Sequence, residues 1–157
     1  MLNSSILCIM KLSLITLLFL ISISSSTNQI FPKQDNDELI IGTWELQGFY
    51  HYDGNEITDT VPTTDGYRQI KMYTKDHVMW TRYVPKDSIE WFGYGSYVAS
   101  ENQLIETLEY GSESMMNVID TLRIFTFELQ ISENEYSQIT VDEEGNRIFS
   151  ENYKRIE

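Results

Sequence analysis

The sequence holds one cysteine, Cys8, in its 157 residues. That residue precedes an N-terminal apolar run, so a chain that loses the run has no thiol at all. Disulfides, a cysteine nucleophile and a thiolate metal ligand are then excluded, and an exported domain of this kind relies on core burial. Basic residues are also few, with 11 Lys and Arg against 24 Asp and Glu and a formal net charge of −13. Affinity for nucleic acid comes mainly from Lys and Arg that neutralise phosphates, so neither nucleic acid nor an anionic membrane surface is an expected partner. No apolar run reaches the roughly 20 residues of a membrane-spanning helix. Only two histidines are present, His51 and His77, and neither stands in a His-x-x-x-His or Glu-x-x-His spacing of the kind that holds zinc or a di-iron centre. There is no Gly-x-Ser-x-Gly, no phosphate-cradling glycine loop and no dinucleotide fingerprint. No catalytic residue, metal ligand or cofactor is assigned.

What is present begins with an export signal. From Met10 the chain reads Met-Lys, then an almost uninterrupted apolar stretch from Leu12 to Ile23, then Ser24, Ser25, Ser26 and Thr27. One positive charge, about a dozen apolar residues and small residues before the cut predict a secretory signal over residues 1–26, cleaved after Ser26. Met10 is itself a natural start, which would make residues 1–9 upstream sequence. Cys8 lies before the run, where a lipoprotein would need it after, so a lipid anchor is not expected. Removing the signal takes away one lysine and no acidic residue, and leaves no stable membrane insertion. The only Asn-x-Ser/Thr acceptor begins at Asn3, which leans toward a bacterial source and a periplasmic or secreted protein. Residues 27–38 form a polar lead-in without periodicity. Residues 39–157 are enough for one domain with a sizeable core, and at 41% hydrophobic and 13% aromatic the chain is too rich in core formers to be disordered.

Beyond the lead-in the segments are short, β-branched or aromatic, and separated by turn residues. Strands are predicted at about 40–51, 67–74, 77–84, 90–99, 103–110, 121–131, 135–142 and 147–156, with breaks such as Lys75-Asp76, Glu101-Asn102 and Glu143-Glu144-Gly145-Asn146. Residues 52–66 read as an extended loop, and Ser112 to Ile119 as one or two helical turns. Alternation puts Phe125, Phe127, Leu129 and Ile131 on one face of the sixth strand. It puts Val78, Trp80, Arg82 and Val84 together on the third, and Phe149, Glu151, Tyr153 and Arg155 on the eighth. Eight such strands with no helix long enough to cover them predict an all-β fold, an eight-stranded antiparallel up-and-down β-barrel. A two-sheet sandwich is the alternative.

The first strand opens Ile40-Ile41-Gly42-Thr43-Trp44-Glu45-Leu46, and the last ends Tyr153-Lys154-Arg155. This Gly-x-Trp on an opening strand, with a basic residue closing the final one, resembles the lipocalin signature. The middle segments Lys71 to Trp80, Phe92 to Tyr97 and Glu106 to Tyr110 resemble the secreted lipocalin-like domains common in Bacteroidetes, most of them of unknown function. The resemblance spans residues 39–157. It implies a barrel plug in which Trp44 packs at the closed end beside Gly42 and a basic residue lies across its ring. Arg155 is chosen over Lys154 because it shares a face with Phe149 and Tyr153. A guanidinium over an indole contributes about 0.5–2 kcal/mol. The absence of a helix after the last strand and of any disulfide sets particular eukaryotic subfamilies aside.

An eight-stranded barrel either fills its interior with side chains or holds one small ligand. Ten Tyr, seven Phe and three Trp suit sterol-like, fatty or planar ligands oriented by a few polar groups. The candidate ligand-binding residues are Trp80, Arg82, Tyr94, Phe125 and Phe127. An inward Arg82 needs an anion: a ligand carboxylate, or an internal one from Glu106, Glu128 or Glu151. Gly93 and Gly95 read as a strand corner. Asp53-Gly54-Asn55-Glu56 reads as a solvated turn, since it lacks the spacing of an EF-hand loop. Glu106 and Glu109 sit at odd spacing and point to opposite faces, so they cannot share a substrate. The expected function is an exported, non-catalytic barrel that binds a small hydrophobic or amphipathic molecule, with its mouth opposite Trp44 and residues 52–66 as a lid. Two alternatives stand beside it: a solid-core module that binds a protein or glycan, and a barrel enzyme acting on a lipid-like substrate through Tyr and Glu.

Overall fold

Short β-branched and aromatic runs, too brief and too evenly spaced for helices, build one antiparallel sheet. The computed structural model describes residues 36–86 and 89–157. The predicted signal and residues 27–35 of the lead-in lie outside them. In chain order the elements are α1 (Asn36–Ile40), β1 (Gly42–Asp53), β2 (Glu56–Pro62), β3 (Arg68–Tyr73), β4 (His77–Tyr83), β5 (Trp91–Ala99), β6 (Gln103–Gly111), α2 (Glu113–Ile119), β7 (Ile124–Ile131), β8 (Glu135–Val141) and β9 (Arg147–Arg155). No described helix is long and apolar enough to cross a membrane.

Strand β1 closes the sheet. One edge pairs with β9 from Trp44 to His51, and the other pairs with β3 from Gly42 to Glu45. With every other ring strand paired to its sequence neighbour, β1 and β3 to β9 make the closed up-and-down ring of eight. Where β1 outlasts β3, its free edge takes β2, from Gly48↔Pro62 to Asp53↔Glu56. Residues 52–66 are therefore mostly a hairpin, which corrects their reading as a loop. Gly54, at φ +60, supplies the turn, and Ile57, Thr58, Thr60 and Val61 are strand formers. All seven residues of β2 are exposed, so no buried alternating face marks the strand in the sequence.

Two other boundaries differ from expectation. The last residues of the lead-in belong to α1, which Asn36 anchors by donating its side-chain amide to the carbonyls of Ser100 and Glu101, 2.8 Å each. Strand β7 begins at Ile124, because the amides of Thr121 and Leu122 still bond the Val118 carbonyl at the end of α2.

At the α1 end the barrel is plugged. Trp44 is fully buried, and its indole N–H donates to the Ile40 carbonyl at 2.7 Å. The Arg155 guanidinium lies 4.0 Å over the ring and donates to the carbonyls of Leu39, Ile41 and Glu133. Gly42 has φ +141, and a Cβ there would strike the guanidinium. The glycine, the tryptophan and the arginine are thus one device.

The interior above the plug has three storeys. The lowest is apolar, from Trp44, Leu46, Tyr73, Val78, Leu104, Leu129, Tyr136 and Tyr153, with Ile40 of α1 beneath. A polar belt follows. The uppermost is apolar again, where Trp80 and Leu108 meet Met115 and Ile119 of α2, with Phe125 and Trp91 against them.

Candidate functional site

The belt begins on β3, whose buried residues are Gln69, Lys71 and Tyr73 while Met72 is exposed. Lys71 and Glu106 form an ion pair with only 4% of each side chain exposed. The ammonium donates to both Glu106 oxygens, at 2.8 and 3.0 Å, and to Gln138 Oε1 at 2.7 Å. Tyr73 donates its hydroxyl to Glu106 at 2.5 Å. Gln138 passes the chain on through its amide to Glu151 Oε2 at 2.9 Å, which also accepts from Gln69 at 3.1 Å and from Tyr153 at 2.5 Å. Gln69 Oε1 in turn accepts from Tyr67 at 2.7 Å and from Arg82 Nε at 2.9 Å. Among the described residues no fully buried side-chain nitrogen or oxygen lacks a partner, as a polar network inside a barrel requires.

The belt carries two cations and two carboxylates, so its own charge cancels. Burial pushes the hydroxyls of Tyr73, Tyr136 and Tyr153 well above the ordinary tyrosine range, and the neighbouring Glu106 and Glu151 push in the same direction. Burial also raises Tyr67, where the Arg82 cation opposes it. All four are neutral at physiological pH, and Tyr67, Tyr73 and Tyr153 donate within the belt.

Between belt and upper storey lies a cavity of about 100 Å3. Its wall mixes the polar Gln69, Lys71, Arg82, Glu106, Gln138 and Glu151 with Trp80, Leu108, Met115, Phe125 and Phe127; Trp80 and Phe125 are the cross-strand partners of Lys71 and Glu106. Drug-sized ligands occupy roughly 300–1,000 Å3, and a cavity of about 150 Å3 admits benzene. The cavity is thus smaller than a sterol-like or fatty ligand fills, because long polar side chains occupy the middle of the barrel.

Of the five residues singled out from the sequence, Trp80, Arg82, Phe125 and Phe127 come together around this cavity. Tyr94 does not. It lies on the outer wall, stacked on His77 with ring centroids 5.4 Å apart and tilted against Tyr110 at 5.2 Å. On β5 the inward positions fall to Gly93 and Gly95, paired with Trp80 and Val78. Glycine carries no side chain to reveal the phase of a strand, so Tyr94 was placed inside. Gly93 has a use of its own, since a Cβ there would come within 2.8 Å of the Trp80 indole nitrogen.

Arg82 meets internal partners. Besides Gln69 it faces Glu151, with NH2 3.9 Å from Oε1, and it lies 5.9 Å from the Trp91 ring. Sequence reasoning missed Lys71, Gln69 and Gln138, which look like solvent-facing polar residues of their strands. The lid differs as well: α2 supplies Met115 to the cavity wall, and no residue of 52–66 lines it. His51 packs on Phe149, far along β1 from the plug, and the described residues contain no group of three or more His, Cys, Asp or Glu placed to hold a metal.

No protein-family model matches the chain, and no curated protein matches it. Among solved structures, a lipocalin-like protein from Bacteroides uniformis superposes with a TM-score of 0.50 at 16% identity, over 75% of this chain and 99% of that one. The fold is lipocalin-like. An uncharacterised protein from Bacteroides eggerthii also aligns, with a TM-score of 0.49 at 13% identity over 74% of this chain and 98% of that one. In this chain the Trp44 and Arg155 plug stands at the α1 end, and the cavity lies toward α2.

Proposed function

We propose that this protein is an exported, non-catalytic lipocalin-like barrel that binds one small molecule in the cavity between the polar belt and α2. The observation that carries this reading is the cavity's mixed wall, in which aromatic and aliphatic side chains stand among hydrogen-bonding ones, the make-up of a small-molecule site. The non-catalytic part rests on the belt's chemistry. Glu106 already accepts from Lys71 and Tyr73, Glu151 Oε2 accepts from three donors, and the buried tyrosines hold their protons, so these groups are engaged with one another. Export rests on the apolar run from Leu12 to Ile23 and the serines after it.

Expressed with its own N-terminus in a bacterial host, the chain is expected to be recovered beginning at Thr27. Native mass spectrometry is expected to reveal a small adduct that denaturation releases. Protein that is bare from several hosts, and whose tryptophan fluorescence ignores a small-molecule extract, would sink the binding reading.

One observation favours the interaction-module reading as second. Met72, Met79, Tyr94 and Tyr110 are cross-strand neighbours on β3 to β6. They form an apolar row on the outer wall, where Met72 and Met79 are nearly two-fifths exposed and Tyr110 about half.

A further inference from the structure

Most of the charged groups that line the cavity are committed to one another, and one pair of them leaves a gap. Lys71 is committed to Glu106 and Gln138, and the Glu106 oxygens to Lys71 and Tyr73. Glu151 Oε2 takes three donors, and Arg82 Nε is committed to Gln69. Glu151 Oε1 and Arg82 NH2 stand 3.9 Å apart, beyond hydrogen-bonding reach of each other, with the Tyr67 hydroxyl also beside the guanidinium. The Arg82 side chain is about a third exposed, so this gap faces the solvent-accessible part of the cavity. Trp80, Phe125 and Phe127 share the cavity wall with it.

We propose that the ligand is a neutral, single-ring or comparably short molecule whose hydroxyl or primary amide bridges Arg82 and Glu151. This rests on the binding reading above and narrows it. Size comes first: about 100 Å3, below the roughly 150 Å3 that admits benzene, leaves room for no more than one small ring, with its polar end toward the partly exposed Arg82. Charge comes second. A carboxylate drawn to Arg82 lies beside the Glu151 carboxylate, and an ammonium drawn to Glu151 lies beside the guanidinium. A group that both accepts and donates satisfies both, and a gap of 3.9 Å is one that a single hydroxyl oxygen spans, accepting from Arg82 and donating to Glu151. A purely apolar ring leaves that gap unbridged inside a partly desolvated site, which discriminates against it.

The test uses the intact mature protein in isothermal titration calorimetry with four probes: 4-methylphenol, toluene, 4-methylbenzoate and hexadecanoate. The phenol is expected to bind at least tenfold more tightly than toluene or 4-methylbenzoate, and hexadecanoate not to bind. In Arg82→Met, which alters a partly exposed side chain, the preference for the phenol over toluene is expected to fall to within about twofold. Equal affinities for phenol and toluene in the wild-type protein overturn the bridge while leaving the binding reading intact. Hexadecanoate binding without the phenol overturns the ligand class and again leaves a binding barrel. If none of the four binds, the inference is overturned, and native mass spectrometry decides separately whether the binding reading falls with it. The wild-type panel is decisive even if Arg82→Met fails to fold.

Discussion

Lys71 and Glu106 show what a single residue contributes to this interior. Two charges taken out of water recover their solvation only through close, multiple hydrogen bonds, and each of these has them: Lys71 to Glu106 and Gln138, Glu106 to Lys71 and Tyr73. Breaking one side leaves the other charge buried alone. Lys71→Met is expected to cost about 3–5 kcal/mol in urea unfolding, and the double substitution Lys71→Met with Glu106→Leu to recover most of it. A double variant as unstable as the single would show that the belt stabilises through its other members. At this scale the sequence was hardest to read. Hydropathy favours Ile70 and Met72 for the inside of β3, yet Gln69, Lys71 and Tyr73 are the buried set. The reason is that partners for Lys71 lie 35 and 67 residues away, on β6 and β8, where no local pattern can announce them. Arg82 was legible as an odd charge among apolar residues of its face; Lys71, which shares its face with Gln69 and Tyr73, was not.

At the scale of elements, the ring strands were largely readable because turn residues punctuate them and β-branched or aromatic residues fill them. The strand that escaped, β2, is exposed along its whole length and is held only by its hairpin to β1. Helix α2 was expected from its sequence, and its position makes it the lid. Ser112 caps it by accepting from the Met115 amide at 3.3 Å, and Met115 and Ile119 are its buried residues. A seven-residue helix is too short to persist by itself, so the cap and these two contacts hold it over the cavity. Ser112→Ala is expected to cost about 0.5–2 kcal/mol. Hydrogen exchange is expected to accelerate at the amides of α2 well before those of β3 and β8. Uniform acceleration over the whole barrel would mean that α2 opens only with global unfolding.

For the whole molecule, the belt and the lower storey tie stability to alkaline pH. Tyr73, Tyr136 and Tyr153 are raised well above their ordinary value of about 10, mainly by burial. The folded state therefore holds these protons more tightly than the unfolded chain does. Its advantage is complete below about pH 10 and declines as the pH rises beyond it. Of the ten tyrosines, these three are expected to remain protonated in an absorbance titration until the barrel unfolds, in one cooperative step shared with circular dichroism. Their ionisation along with the exposed tyrosines, in a barrel still folded, would mean that the interior admits water freely. The net charge of −13 works from outside, since it keeps the protein soluble and sets no interior chemistry.

The sequence by itself determined the order and approximate extent of the ring strands, the short helix after β6, and the pairing of Gly42, Trp44 and Arg155, because turn chemistry, periodicity and a signature at the two chain-closing strands are written locally. Only the tertiary structure decided which faces of β3 and β5 look inward, where Arg82 finds its partners, and that a polar belt fills the middle of the barrel beside a small cavity. Closure of the ring sets those outcomes. It brings side chains from β3, β4, β6, β8 and β9 into one layer, and the energy of a buried charge depends on all of them at once.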